Sequence, residues 1–382
     1  MAEISDQAVS TTVDAQEVSD VGELPQSKLI WMRFRRNKLA VIGGIGLILM
    51  YIVIALGPFL ANNNYMYQND DYIYGPPTPI TFIGPSGKLG LRPYTYKVST
   101  RLDPEAFKFV FDIDLDTKIP IRFFVEGDSY KLFGFINGSA HLFGVEGGQR
   151  FYPLGADGLG RDVLSRLLTG GQVSLTVGLV GVALTIVFGS VMGTVSGYFG
   201  GLADDIIQRI VELIMSFPTV PLWAALAAAL PPISGDFSAL DRYFLITVIL
   251  SLVNWTGLSR QLRAKVMAYR ESDFVMAALA AGAKDRRIIF THMMPNAASH
   301  IIVVAALAIP GMILGETALS FLGLGILPPA VSWGSMLTDA QHVPVVIDHP
   351  WLMTPGIAVI LSVLFFSFLG DALRDAADPY SI

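Results

Sequence analysis

The side chains that could do chemistry in this chain are few and far apart. There is no cysteine, which excludes thiolate metal sites, disulfides and a cysteine nucleophile. The five histidines never stand four apart on one predicted helix, so the spacing of a helical zinc motif is missing. Residues 84–88, Gly-Pro-Ser-Gly-Lys, resemble part of a phosphate-binding loop, but Leu89 stands where the hydroxyl residue belongs. An ordinary turn is predicted there, and no catalytic, nucleotide or metal site in the chain itself.

Two carboxylates, Glu212 and Glu316, fall in or beside long apolar stretches. A charged side chain in lipid costs at least ~2.5–3.5 kcal/mol on insertion scales, so such residues are functional candidates. A proton relay needs a chain of ionisable groups, and each stretch offers only one. Hydrogen bonds that anchor neighbouring helices are the favoured role, and a place in a gate or transport path is the alternative.

The elements that carry these residues follow from the composition. Of the 382 residues, 52% are hydrophobic and 15% charged, against about 25% charged in a soluble domain. A net charge of −6 leaves no dominant basic surface, so nucleic acid is not an expected partner. A helix that spans a bilayer takes roughly 17–25 apolar residues. The uncharged stretches predict six transmembrane helices, at 39–60, 167–203, 213–235, 243–259, 293–315 and 351–370.

Basic residues set the expected orientation in the membrane. Lysine and arginine concentrate at 28–38 and 260–287, whereas the short loops on the other side hold only Arg242. Because positively charged loops stay in the cytoplasm, both termini are predicted to be cytoplasmic and residues 61–166 external.

Outside the transmembrane helices the chain changes character. Residues 1–27 are polar and aperiodic and predict a disordered cytoplasmic tail. Residues 28–60 predict a basic interfacial segment that leads into the first transmembrane helix. Residues 111–116 alternate apolar residues with Asp, and 118–125 resume the alternation with basic residues on the polar side. This period of two predicts half-buried strands, the Asp of one facing Lys and Arg of the next, so 61–151 is expected to be a small β-rich domain.

Glycines recur at helical spacing in two of the apolar stretches. Gly189, Gly193 and Gly197 form one smooth stripe, and Gly311 and Gly315 are also four apart. Such stripes allow helices to approach closely. Tight packing within this chain is the favoured interpretation, and a surface for a second membrane subunit is the alternative.

The predicted cytoplasmic segment 269–295 has its own signals for short helices. Ser272 or Asp273 is expected to cap a helix that runs through Ala281, and Gly282 to end it in the left-handed conformation. Asp285 is expected to cap a second helix.

That second helix is predicted over Arg286–Met293, with Pro295 opening the next transmembrane helix. A small alanine-rich face beside a sharp corner suits insertion into a groove on another protein.

At these residues the chain resembles the EAA loop of the membrane subunits of binding-protein-dependent ABC importers. Ala277, Ala278, Gly282 and Pro295 carry the pattern, His292 and Asn296 have the form usual in peptide permeases, and Met276 stands where the family usually has Glu. The resemblance implies that this segment docks on an ATP-binding subunit through Asp273, Met276, Ala277, Ala278, Gly282, Ala283, Asp285, Arg286, His292 and Pro295.

Further motifs in the same order resemble the C-type subunit of dipeptide and oligopeptide ABC importers. They are the runs at 33–40, 154–166, 316–325, 332–334 and 370–379. The resemblance covers 28–60 and about 152–380. It implies an all-α polytopic permease of six transmembrane helices, the ABC permease domain being 152–382, with the β-rich external insert between helices 1 and 2.

The resemblance also implies the assembly and the cargo. The partners would be a second related membrane subunit, two ATP-binding subunits and an external solute-binding protein, in a bacterial inner membrane. The chain would be no enzyme and bind no cofactor, since ATP and magnesium belong to the partners. The cargo would be di- or oligopeptides, with oligosaccharides or nickel chelates as the alternative.

Residues on the external side are candidates for a gate or path. Asp162 and Arg166, four apart, predict an ion pair on a short helix. The stretch 311–325 is expected to lie nearest a path between two subunits. The candidates are Asp157, Arg161, Asp162, Glu316, Ser320, Phe321, Gly323, Gly325 and Trp333.

The residues alone leave two other classes of protein open. A secondary transporter favours inverted repeats and broken helices at mid-membrane, and no repeat is visible. A membrane hydrolase needs a Ser/His or acid pair at one depth, whereas the histidines fall in predicted loops or at helix ends.

Overall fold

The computed structural model describes residues 32, 35–83, 89–105, 108–145, 150–235 and 237–377. The predicted tail 1–27 and the turn at 84–88 lie outside these residues. The helices are α1 (Lys38–Ala55), α2 (Gly57–Leu60), α3 (Val163–Phe199), α4 (Gly201–Met215), α5 (Thr219–Ala228), α6 (Ala239–Arg270), α7 (Asp273–Ala280), α8 (Asp285–Arg287), α9 (Met294–Phe321), α10 (Trp333–Met336), α11 (Val343–Asp348) and α12 (Thr354–Ala377). The strands are β1 (Thr81–Ile83), β2 (Leu89–Asp103), β3 (Lys108–Leu132) and β4 (Ile136–Val145).

Within the described residues, five helices are long and apolar enough to cross a membrane, and a bent pair makes a possible sixth span. The pair is α4 and α5, which meet at 88°. The prediction of one straight helix over 213–235 is therefore wrong. Pro218 explains the break, because proline lacks an N–H and disfavours helical geometry at Phe217 before it.

The glycine stripe of α3 packs against α6 of the same chain. A Cβ added at Gly189 would lie 2.9 Å from Leu258 Cβ, and one at Gly193 would lie 2.6 Å from the Ser259 carbonyl oxygen. Only glycine allows the two backbones this approach. Tight packing within the chain, the favoured interpretation, is confirmed for this stripe.

The residues between α2 and α3 form a four-stranded antiparallel sheet in the order β1-β2-β3-β4. The long strand β3 pairs with β2 in its first half, where Ile113 opposes Val98, and with β4 in its second, where Phe123 opposes Phe143. The prediction of two facing strands over 111–116 and 118–125 is wrong, since β3 runs through both stretches with a bulge near Thr117.

The Asp side chains of β3 account for this difference. Asp114 accepts hydrogen bonds from the N–H groups of Asp116 (3.0 Å) and Thr117 (3.3 Å), which holds the bulge within one strand. Asp112 faces Arg101 of β2, with Nε to Oδ2 at 3.7 Å, rather than the basic residues farther along β3. Leu115 is exposed, so the alternation here does not produce a buried face.

Candidate functional site

The segment 269–295 leaves the end of α6 as the short helix α7. Gly282 follows it with φ +77°, the left-handed conformation expected of this glycine. Ser272 is the N-cap residue, but its hydroxyl donates to the Tyr269 carbonyl oxygen at 2.5 Å. The predicted side-chain cap by Ser272 is therefore wrong, because its hydroxyl bonds backwards to α6 instead of forwards into α7. Asp273 lies in the first turn of α7, where a carboxylate complements the helix dipole.

The second predicted helix of this segment differs from expectation. Lys284 is its N-cap residue, and Asp285 lies inside α8 and accepts a hydrogen bond from the Tyr198 hydroxyl at 2.8 Å. The expected cap by Asp285 is therefore wrong. α8 continues through a π turn at Ile288–Met293, and α9 then begins at Met294 with Pro295 in its first turn, as predicted. Proline is tolerated at the start of a helix because the N–H groups there have no partner within the helix.

A buried cluster fixes the segment to the transmembrane helices. Val275 of α7, together with Ile288 and Met293, is fully buried against Leu262 and Val266 of α6. These contacts hold α7 at the end of α6 and beside the start of α9.

The same segment also carries apolar side chains that are exposed. We call Phe274, Met276, Leu279 and Phe290 the docking face; Met276 is 56% and Phe290 66% exposed. Of the predicted contact residues, those exposed with it are Asp273, Met276, Ala277, Gly282, Asp285, Arg286 and Pro295, and those half-buried are Ala278, Ala283 and His292. Exposed apolar side chains on an anchored helix are typical of a surface that another protein covers.

The loop before α3 is organised by one carboxylate. Asp157 accepts hydrogen bonds from the N–H groups of Leu159 (2.9 Å) and Arg161 (3.0 Å). Its other oxygen lies 2.8 Å from Arg161 Nε and 3.2 Å from Arg166 Nε. Arg166 therefore pairs with Asp157, and the predicted pair with Asp162 is wrong.

Asp162 has another role, as the N-cap residue of α3. Its carboxylate accepts from the Ser165 N–H at 2.9 Å and from the Ser165 hydroxyl. It therefore begins the long helix α3 rather than lying on a short separate helix. Burial raises the pKa of Asp162 from 3.8 to about 6, although the hydrogen bonds from Ser165 lower it.

Glu316 is fully buried where α3, α9 and α10 meet. It accepts hydrogen bonds from the hydroxyls of Ser174 (3.0 Å) and Ser320 (2.6 Å), and the Trp333 N–H donates to Ser174 Oγ at 3.1 Å. The favoured role, hydrogen bonds that anchor helices, is confirmed for Glu316. It is wrong for Glu212, which is exposed and pairs at 3.1 Å with Arg209 of its own helix α4.

Burial also decides which gate candidates reach a surface. Glu316, Ser320 and Trp333 are at most 1% exposed within the chain itself. A Cβ at Gly315 would lie 2.9 Å from the Trp223 ring. These residues are packed inside this subunit, and the expectation that 311–325 lies nearest a path between two subunits stays a prediction. Gly323, with φ +74°, is exposed.

Comparison with known proteins places this arrangement in a family. Residues 186–380, just over half of the chain, match the family described as the binding-protein-dependent transport system inner membrane component. The chain belongs to this family. Residues 26–77 of the permease match the N-terminal TM domain of oligopeptide transport permease C.

Several curated relatives align with the permease over more than half of its length. A protein of Brucella ovis named as a peptide permease is 42% identical over 226 residues, which are 59% of the permease and 72% of the relative. The dipeptide transport system permease protein of Alkalihalophilus pseudofirmus is 37% identical over 62% of the permease and 74% of its own chain. The oligopeptide transport system permease protein of Haemophilus influenzae is 37% identical over 60% and 70%.

Among solved structures, a chain of the MetNI methionine ABC transporter in an inward-facing conformation resembles the permease. It is 17% identical, covers 55% of the permease and 96% of its own length, and gives a TM-score of 0.40.

Three residues with a clear role in the structure were not among the predicted site residues: Arg242 of α6, and Phe274 and Leu279 of α7. Arg242 of α6 is buried, and it donates to the carbonyl oxygens of Gly325 (Nε, 2.8 Å) and Leu324 (Nη2, 2.8 Å), holding the turn after α9. It is the single Lys or Arg in the short loops 231–242 and 326–350, and this is a signal that could have identified it. For Phe274 and Leu279, the signal is that α7 is apolar on all sides. A helix that packs against its own chain needs only one apolar face, so the remaining apolar side chains indicate a second contact surface.

Proposed function

We propose that this permease is one of two related membrane subunits of an ATP-driven importer of dipeptides or oligopeptides. Two ATP-binding subunits would lie beneath it, and an external solute-binding protein would deliver the cargo. The relatives named as peptide, dipeptide and oligopeptide permeases support the choice of cargo. Translocation itself needs no chemistry from this chain, and ATP and magnesium would be held by the ATP-binding subunits.

The observation that carries the proposal is the docking face, a group of exposed apolar side chains on a segment that a buried cluster fixes to the transmembrane helices. A groove on the ATP-binding subunit would cover Phe274, Met276 and Leu279. Because Val275 is packed against α6, a displacement of α7 would move the transmembrane helices with it. The change between outward and inward access is then a shift between two packings, driven by what the ATP-binding subunits bind differently in each.

The proposed topology places both termini and the segment 269–295 in the cytoplasm. The bent pair α4–α5 would be the third of six spans, and the sheet β1–β4 would lie outside. The concentration of basic residues at 260–287 supports this orientation.

The test is peptide uptake by the whole complex in vesicles. Uptake should require ATP, the solute-binding protein and active ATP-binding subunits. Uptake that continues with catalytically inactive ATP-binding subunits would contradict the proposal and would favour a secondary transporter.

A further inference from the structure

The turn between β3 and β4 exposes a compact group of apolar side chains. Its sequence is Leu132-Phe133-Gly134-Phe135-Ile136, and Phe133 is 56% and Phe135 75% exposed. The chain reverses through φ +53° at Phe133 and +82° at Gly134. The two phenyl rings lie 6.4 Å apart. We call residues 132–136 the aromatic turn.

The strands that lead into the aromatic turn lie beside the end of the first transmembrane helix. Tyr130 and Lys131 line a cavity of about 390 Å³ together with Pro58 of α2 and Gln172 of α3. Gln172 Nε2 donates to the carbonyl oxygen of Ile54 at 3.0 Å, one residue before α1 ends. Lys131 and Phe133 are two residues apart, at most about 7 Å along a strand. The aromatic turn is therefore close to the level at which α1 ends.

The neighbouring surface of α1 is one that lipid must cover. Ile45, Ile48 and Ile52 are exposed along this apolar span. Just beyond its end, in α2, the Phe59 ring lies 6.2 Å from that of Phe124, an exposed residue of β3. An apolar surface thus continues from the lipid-facing side of α1 onto the same hairpin that carries the aromatic turn.

We propose that the aromatic turn inserts into the boundary between headgroups and acyl chains and fixes the β insert to the membrane surface. Aromatic rings favour this depth, and the exposed Lys131 is placed to meet lipid phosphates. The lipid surface is favoured over a protein partner because the apolar surface is continuous with that of α1. The inference rests on the proposed transmembrane assignment of α1.

The absence of cysteine allows a site-specific probe without background. Phe135→Cys carries the environment-sensitive dye NBD in the assembled complex, in nanodiscs of phosphatidylethanolamine and phosphatidylglycerol. The matched control is Leu115→Cys, an exposed apolar residue earlier on β3. We expect several-fold brighter emission at 135 than at 115, and quenching by nitroxide groups on the acyl chains at 135 alone. Emission at 135 that stays water-like, or that rises only when the solute-binding protein is added, would overturn the proposal.

A label at Ile48→Cys separates this inference from the proposed function. Quenching at 48 without quenching at 135 would overturn the membrane anchor and leave the transmembrane assignment intact. If neither position is quenched, the assignment of α1 fails, and the anchor with it. Retention of the ATP-binding subunits by each labelled complex controls for misfolding.

Discussion

The guanidinium of Arg263 donates two hydrogen bonds to the carboxylate of Asp204, from Nε to Oδ1 at 2.6 Å and from Nη2 to Oδ2 at 2.5 Å. Asp204 also accepts from the hydroxyl of Ser196. One carboxylate thus joins α3, α4 and α6 close to the point where α6 leads into the segment 269–295. A bidentate pair fixes orientation as well as distance, so we expect it to hold these helices in register.

The substitution Arg263→Lys tests the bidentate geometry. Arg263→Lys keeps the charge but replaces the planar fork by a single ammonium group, so we expect a loss of about 1–2 kcal/mol. The thermal unfolding midpoint of the purified complex should fall accordingly. Arg209→Lys is the matched control, because the pair of Arg209 with Glu212 is largely exposed and should change stability by no more than about 0.5 kcal/mol. Equal effects of the two variants would contradict this interpretation.

The conformation of Gly282 predicts a defect in coupling. Gly282→Val places a branched residue at φ +77°, which costs about 1–2 kcal/mol. A Cβ there would meet no atom of the described residues within 4 Å, so the effect comes from the backbone rather than from crowding. We expect normal membrane insertion but reduced retention of the ATP-binding subunits and reduced uptake. Gly257→Ala, another open position but within the helix α6, should leave both unchanged. Full uptake by Gly282→Val would argue against a coupling corner.

The buried Glu316 should tolerate an amide better than a truncation. Glu316→Ala leaves the hydroxyls of Ser174 and Ser320 without this acceptor, at a cost of about 2–3 kcal/mol. Glu316→Gln retains an acceptor oxygen and should cost less. The ranking can be read from unfolding midpoints of the purified complex. A Gln variant as unstable as the Ala variant would show that the charge, not the hydrogen-bond network, is what matters.

Asp162 predicts a dependence of stability on pH. Because burial raises its pKa in the folded chain from 3.8 to about 6, its contribution is complete below about pH 4 and is lost as the pH rises through about 6. Asp162→Asn stays neutral and can still cap α3. Its unfolding midpoint, relative to wild type, should therefore rise between about pH 4 and pH 7. The exposed Asp71→Asn is the control, and a midpoint difference at 162 that is independent of pH would refute the assignment.

Much of the transmembrane part follows from apolar length and glycine spacing alone. The stripe Gly189–Gly197 correctly indicates close packing, because only small residues at that spacing bring helices together. The break at Phe217–Pro218 could also be predicted from the sequence, because proline disfavours a continuous helix. The uncharged length of 213–235, taken alone, indicates one unbroken span.

Other features depend on which of several possible side-chain contacts forms, and the spacing of residues along the chain does not decide this. Asp157 and Asp162 both stand within reach of Arg166 along the chain, and the cap of α3 decides which of them pairs with it. The bulge at Asp114–Thr117 exists because the Asp114 side chain accepts from the local N–H groups, whereas alternation alone indicates two strands without showing that they are one. The docking face cannot be located from the sequence because the buried and the exposed residues of α7 are both apolar.

Cross-linking can test directly whether the docking face contacts an ATP-binding subunit. A single cysteine at Met276 carries a short photoactivatable cross-linker in the assembled complex. Met66→Cys, half exposed at the other end of the molecule, is the matched control. We expect position 276 to form a covalent product with an ATP-binding subunit, and the yield of this product to change when ATP binds. Position 66 should form no such product. A product from position 66, or none from position 276 in a complex that retains its ATP-binding subunits, would contradict the proposed contact.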